Sequence, residues 1–225
     1  MKITPLGDSA ILIEIGDDPV AVRNLATALA SNLRTGVLDI VPAYTTVAVF
    51  YNPLQLVNGG GVAKPDLLIR AWVEEIATTV THAKPAPGRE RVVPICYGGD
   101  FGPDLESLAT DKELTVAEVI ELHSRTVYEV RAVGFSPGFP YLAGLPAVLH
   151  TPRRASPRSV VPAGSVGIGG AQTGIYTLAT PGGWNLIGRT PLRLFRPEEE
   201  NSSWLRVGDT VKIEPISQEQ FKTWS

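Results

Sequence analysis

Beyond Arg131 the chain seldom goes ten residues without a glycine or a proline, and this punctuation limits what the segment can become. Eleven of the 22 glycines fall between Glu129 and Glu198. Helices of ordinary length do not survive such frequent breaks, whereas short strands joined by tight turns do. The rhythm predicts an all-β barrel or sandwich. Val207-Gly208-Asp209-Thr210-Val211-Lys212-Ile213 reads as a turn feeding a late strand, with Val211 and Ile213 on one face.

Residues 1–81 follow a different pattern. Ile3–Leu6 and Ala10–Ile15 are short β runs, and Asp18-Pro19 supplies an N-cap followed by proline at the first helical position. Val22, Leu25, Ala26, Leu29 and Leu33 then recur at helical spacing until Gly36 ends the run. Val37–Val41 and Thr45–Tyr51 are strand-like, and Pro65 opens a second helix with Leu68, Trp72, Ile76 and Val80 on its inward face. The order β-β-α-β-β-α, with Arg91–Tyr97 as a returning strand, predicts a small α+β unit of ferredoxin-like type. His82-Ala83-Lys84-Pro85-Ala86-Pro87-Gly88 lacks apolar periodicity, so the boundary falls there. The expected domains are 1–84 and 85–225. Beyond the boundary, Pro103–Ala109 and Val116–Tyr128 read as helices, the second opened by a Thr115/Glu118 capping box.

A formal charge of −3 argues against a nucleic-acid or anionic-membrane partner. No apolar run approaches the length of a membrane span, and the N-terminus reads as a first strand rather than a signal peptide, so the cytoplasm is the expected location. One cysteine, Cys96, rules out an internal disulfide, and the three histidines show no ligand spacing, so no metal is expected.

Charge is nonetheless distributed oddly. Between Glu129 and Glu198 there is no Asp, Glu or Lys, yet there are seven arginines: Arg131, Arg153, Arg154, Arg158, Arg189, Arg193 and Arg196. Average usage would place about seven acids there. These guanidiniums could pair with acids of the N-terminal domain, with a partner protein or with an anionic ligand, or form a solvated face. Arg153, Arg154 and Arg158 share a proline-bounded loop stiff enough to aim them.

Two apparent motifs fail on chemistry. Gly164–Gly174 looks like a phosphate-cradling loop, but Ile175-Tyr176-Thr177-Leu178 continues it as a strand, and no P-loop lysine follows. Gly134-Phe135-Ser136-Pro137-Gly138 matches a serine-hydrolase elbow, but Pro137 has no N–H for the oxyanion hole. His123 lies on the apolar stripe of its helix with Val116, Val119, Ile120 and Val127. It is either a hydrogen-bonded core residue or a proton donor and acceptor facing a cleft.

The run from Gly134-Phe135-Ser136-Pro137-Gly138-Phe139-Pro140-Tyr141 through Thr151–Arg158, Val161–Val166 and Gln172–Tyr176 to Pro181–Pro191 resembles the allophanate hydrolase subunit 1 family. That family includes the B subunit of prokaryotic 5-oxoprolinase and the Kip-type sporulation-kinase inhibitor. Pro94–Gly99, Leu122-His123-Ser124 and Gly7–Ala10 resemble family segments too. The resemblance implies a cyclophilin-like barrel behind the ferredoxin-like domain. It also implies a subunit of an ATP-dependent enzyme that opens the 5-oxoproline lactam to glutamate and is inactive alone. ATP would be a co-substrate of the complex, with no cofactor bound tightly. The implied partners are a related barrel protein (the C subunit of 5-oxoprolinase or the Kip-type antagonist) and a third, lactam-binding subunit. The alternative is a protein that docks on a sensor histidine kinase and blocks autophosphorylation. On this footing His123 and Gln172 are the candidate catalytic residues, and His123 is expected to face a polar cleft between its helix and the barrel together with Gln172 or Tyr176. Arg153, Arg154, Arg158 and Tyr176 are the candidate substrate or anion contacts. Gly134, Pro137, Gly138, Phe139, Tyr141, Gly174, Trp184 and Arg189 mark the structural motif.

Overall fold

The computed structural model describes residues 1–57, 64–80 and 88–224. The chain separates into two compact units, Met1–Ala86 and Pro87–Ser225. The expected boundary at 84/85, and His82 with it, lies outside the described residues.

The first unit contains β1 (Lys2–Pro5), β2 (Ala10–Glu14), α1 (Pro19–Ser31), β3 (Val37–Ala43), β4 (Thr46–Tyr51), α2 (Pro53–Leu56) and α3 (Pro65–Thr79). Asp18 caps α1 by accepting from the N–H groups of Val20 and Ala21, as its place before a proline requires. The sheet runs β1-β2-β4-β3 with every neighbouring pair antiparallel. Alternate residues Ile11, Ile13, Val47, Val49 and Tyr51 point to one face and pack against Val22, Leu25 and Leu29 of α1 and Ile69, Trp72 and Val73 of α3.

The ferredoxin-like expectation fails on topology. A ferredoxin-like unit needs the strand after its second helix to return into the same sheet. That strand, β5 (Glu90–Tyr97), instead belongs to a barrel in the second unit. Its apolar run reads the same in either sheet, which is why periodicity could not assign it.

The second unit continues with α4 (Leu105–Asp111), α5 (Val116–Ser124), β6 (Tyr128–Val133), β7 (Pro140–Ala143), β8 (Arg158–Val161), β9 (Ser165–Gly169), β10 (Gln172–Ile175), β11 (Thr180–Gly182), β12 (Asn185–Arg189), β13 (Thr210–Pro215) and α6 (Gln218–Lys222). Seven strands close in the order β10-β7-β6-β13-β5-β12-β9, and β8 and β11 form a separate two-stranded ribbon. Closure pairs every ladder edge, so the barrel leaves no exposed strand edge of its own. Inward residues such as Ile95, Val130, Leu142, Ile168, Ile187 and Val211 share one core with Leu105 and Leu108 of α4 and Val119 of α5. The Thr115/Glu118 capping box starts α5 as expected, but the helix stops at Ser124, four residues short of the expected Tyr128, which begins β6.

The glycine-rich segment is a hairpin, not a cradle. Gly169 pairs with Gln172 across a two-residue turn whose first central residue, Gly170, has φ +66°, as a type II′ turn demands. Gly169 itself is required by a close approach, since a Cβ there would lie 2.6 Å from the Trp184 indole nitrogen. We predict that Gly169→Ala costs about 1–3 kcal/mol by overpacking. Denaturant titration should show the lowered midpoint, with a red-shifted tryptophan emission as Trp184 is pushed outward. A variant with unchanged midpoint and emission would contradict the packing described.

Candidate functional site

Asp104 organises the surface on which the functional candidates lie. Its carboxylate is 5% exposed and lies just before α4. Arg154 donates to it through Nη1 at 2.9 Å, and Arg158 donates in a fork, at 2.9 Å to Oδ2 and 2.8 Å to Oδ1. The N–H of Leu186, in β12, adds a bond of 2.7 Å. The acid that neutralises two of the seven arginines therefore comes from outside the acid-free stretch but from the same unit. Of the three arginines expected to face a ligand, Arg154 and Arg158 thus spend part of their guanidinium donors on Asp104. Arg131 lies 3.8 Å from Glu129, Arg189 donates to the Ala163 carbonyl, and Arg193 and Arg196 pair with Glu198 and Glu199. Among the described residues Arg153 alone of the seven has neither a hydrogen bond nor a carboxylate partner.

Arg153 stands at a small pocket of about 100 Å³ that is otherwise lined by Phe135, Phe139, Tyr141, Tyr176 and Trp184, with Gly182 and Gly183. The rings meet edge to face. Phe139 is the hub, with centroids 4.9 Å from Tyr141, 5.2 Å from Tyr176 and 5.5 Å from Trp184. Gly182 lets the backbone pass the Tyr176 ring, where a Cβ would come within 2.4 Å of the hydroxyl. Gly174 lies beside the Phe139 ring in the same way. Phe135 holds the rim on a strained backbone, with φ +69° and 63% exposure. Its loop is pinned by Gly134 N–H to the Phe139 carbonyl and by the Thr177 hydroxyl to the Pro137 carbonyl, while Gly138 supplies a φ of +75°. Burial pushes the Tyr141 and Tyr176 hydroxyls up from their usual value, and the Arg153 charge opposes that shift at both.

His123 does not share this pocket. It is fully buried, with Nδ1 2.7 Å from the Tyr97 hydroxyl and Nε2 3.0 Å from Thr173 Oγ1. Thr173 donates its single hydroxyl proton to the Gly167 carbonyl, so its oxygen accepts from Nε2–H and Nδ1 accepts from Tyr97. The tautomer is thereby set. Burial lowers the imidazole from the usual 6.5 to about 3, so it stays neutral. The expected cleft with Gln172 and Tyr176 is corrected on geometry, because Thr173 points to the barrel interior and its strand neighbour Gln172 projects to the opposite face. His150 bonds to the Leu145 carbonyl. Ser136, at the elbow-like sequence, is buried with its hydroxyl unpartnered, between two strands rather than before a helix. Among the described residues no three His, Cys, Asp or Glu groups could hold a metal, and no helix is long and apolar enough to cross a membrane.

Sequence reasoning passed over Asp104, Phe135, Tyr97 and Thr173. The surplus of arginine pointed to a missing acid, but nothing local marked Asp104 among the 23 acidic residues.

Two outcomes follow from these geometries. Asp104→Ala should cost about 2–4 kcal/mol, below the full cost of breaking a buried pair because both guanidiniums keep some solvent. Urea unfolding of the variant measures this, and a loss under about 0.5 kcal/mol would contradict the anchoring role. For His123 the folded pKa lies below the unfolded one, so the unfolded state binds the extra proton. Its contribution is therefore intact above about pH 6.5 and is lost as pH falls toward 3, at up to about 1.4 kcal/mol per pH unit. Between pH 7.5 and 4.5 the unfolding free energy should fall less steeply in His123→Gln than in the native protein. Equal slopes would mean that the imidazole titrates in the folded state as it does in water.

Comparison with known proteins agrees with the fold and corrects its assignment. The family of the carboxyltransferase domain, subdomain C and D, matches residues 1–205. The protein of Haemophilus influenzae named as the B subunit of 5-oxoprolinase is 54% identical over 223 residues, covering 95% of this chain and 97% of that one. The Bacillus subtilis protein of the same name is 40% identical over 230 residues, covering 99% and 96%. The solved structure of TTHA0988 has a TM-score of 0.76 at 33% identity, covering 92% of this chain but only 40% of that longer one. The urea carboxylase of Kluyveromyces lactis has a TM-score of 0.73 at 16% identity, covering 98% of this chain and 22% of that one, a likeness of fold alone. The expected succession of a ferredoxin-like domain and a cyclophilin-like barrel thus gives way to the architecture of a carboxyltransferase domain. On near-full-length identity and shared fold, the chain belongs to the carboxyltransferase subdomain C and D family, in the allophanate hydrolase subunit 1 group that its motifs resemble.

Proposed function

We propose that this chain is the B-type subunit of an ATP-dependent 5-oxoprolinase, which opens the 5-oxoproline lactam to glutamate. The observation that carries the reading is the 54% identity, over nearly the whole of both chains, with a protein named for that role. The kinase-inhibitor alternative is not favoured, since the relatives compared above carry the enzyme name.

The chemistry explains why such a subunit works in company. An amide carbon is a poor electrophile, and hydrolysis of this five-membered lactam is uphill enough to need coupling. Transfer of a phosphoryl group from ATP to the amide oxygen makes that carbon electrophilic. Water then adds, the carbon–nitrogen bond breaks to free the amine and leave an acyl phosphate, and a second water displaces phosphate to give the carboxylate. Fixed cations steady the anionic species along the way. The pocket beside Arg153, at about 100 Å³, is too small for a nucleotide. On this reading ATP is a co-substrate of the complex and does not occupy this pocket. The partners are a related barrel protein and a third subunit, in the cytoplasm, with no nucleic acid or membrane involved.

The chain alone should form no ADP in response to 5-oxoproline. A mixture with its two partner subunits should do so, with equal glutamate appearing. ADP formation by the isolated chain would defeat the shared-site reading. Silence of every reconstituted mixture, together with tight inhibition of a sensor histidine kinase, would replace it with the inhibitor reading.

A further inference from the structure

We infer that the aromatic pocket is a binding site for a small ring-bearing carboxylate, with the ring seated among Phe135, Phe139, Tyr176 and Trp184 and the carboxylate held by Arg153. This rests on the proposed function for the identity of the ligand, which is then 5-oxoproline itself. It goes beyond that reading by giving this chain a lactam site of its own, where the sequence resemblance assigned lactam binding to a third subunit.

Three independent features lead here. The first is charge. Among the described residues Arg153 is the single arginine of the acid-free stretch without a partner, and its neighbours Arg154 and Arg158 are anchored on Asp104, so the loop that carries it is held in place. A guanidinium kept free beside a pocket, with no carboxylate of its own, offers a planar fork to an incoming carboxylate. The second is shape. A pocket of about 100 Å³ holds only a few ordered waters and lies well below the roughly 300–1,000 Å³ of sites for drug-sized ligands. It suits a ligand of one small ring rather than a nucleotide. The third is strain. Phe135 adopts φ +69°, a region unfavourable for a bulky side chain, and leaves its ring 63% exposed. Its edge-to-face contacts, 5.4 Å to Phe139 and 6.1 Å to Tyr176, fix it as a wall of the pocket.

The polar atoms fit a lactam. Tyr176 lines the pocket, and burial raises its hydroxyl, so it keeps its proton at neutral pH and can donate it. A lactam carbonyl is the matching acceptor. Among the described residues nothing acidic lines the pocket, so an amine such as that of free proline finds no counter-charge there. Selection therefore favours a neutral ring nitrogen and a carboxylate over a zwitterion.

Calorimetric titration of the full chain, alone and in the reconstituted complex, tests this directly. 5-Oxoproline should bind, and 2-pyrrolidinone, which lacks the carboxylate, should bind at least tenfold more weakly. Arg153→Gln should weaken 5-oxoproline at least tenfold, leave 2-pyrrolidinone unchanged, and be partly rescued by Arg153→Lys. Phe135→Ala should weaken both ligands. In the active complex Arg153→Gln should raise the KM for 5-oxoproline at least tenfold while leaving the KM for ATP unchanged. Arg153 is exposed, so these variants keep the fold. The site is refuted if 5-oxoproline binds neither the chain nor the complex. It is equally refuted if Arg153→Gln binds and turns over 5-oxoproline as the native protein does, or if a proline peptide displaces 5-oxoproline at lower concentration. Those results leave the subunit assignment standing. Arg153-dependent binding of 5-oxoproline without turnover in any mixture would support the pocket and count against the enzyme reading instead.

Discussion

The buried carboxylate of Asp104 decides how the second unit presents the 151–158 loop. It accepts from two arginines of one loop and from the backbone of β12, so it ties the start of α4, the 151–158 loop and a barrel strand to one point. Burying a lone carboxylate would be prohibitive, and two guanidiniums in a stretch without acids would otherwise stay uncompensated. Together they satisfy one another. The consequence for function is indirect: with Arg154 and Arg158 held, the loop can leave Arg153 free beside the aromatic pocket.

The pocket depends on a second constraint, the absence of side chains. Phe139, Tyr176 and Trp184 reach their edge-to-face arrangement because Gly174, Gly182 and Gly169 lie where a Cβ would strike a ring. Each such aromatic contact is worth about 0.5–1.5 kcal/mol beyond its buried area. Glycine here gives up backbone entropy in return for ring packing, and the glycine-rich hairpin is explained without a phosphate.

Inside the barrel, polarity is used differently. The chain Tyr97–His123–Thr173–Gly167 joins β5, α5, β10 and β9 through three hydrogen bonds in an otherwise apolar core. Every donor in it has an acceptor, which is the condition under which a buried polar network holds a structure together rather than weakening it. A histidine in this position fixes the register of helix against barrel. Burial keeps its ring neutral far below physiological pH.

Much of this was legible in the chain itself. The Asp18-Pro19 and Thr115/Glu118 caps placed two helices, the glycine and proline spacing announced a β-rich second half, and Pro137 excluded a serine elbow, because each is a local property of one or a few neighbouring residues. The surplus of arginine was legible as a question without its answer. Which sheet would take β5, which acid would meet Arg154 and Arg158, and whether His123 would face a cleft or the core are matters of contacts across dozens of residues. Asp104 and Arg158 are 54 positions apart, and His123 and Thr173 are 50. Sequence periodicity determines which face of an element is buried; only the closed barrel decides what that face is buried against, and with it which cation is left free to bind.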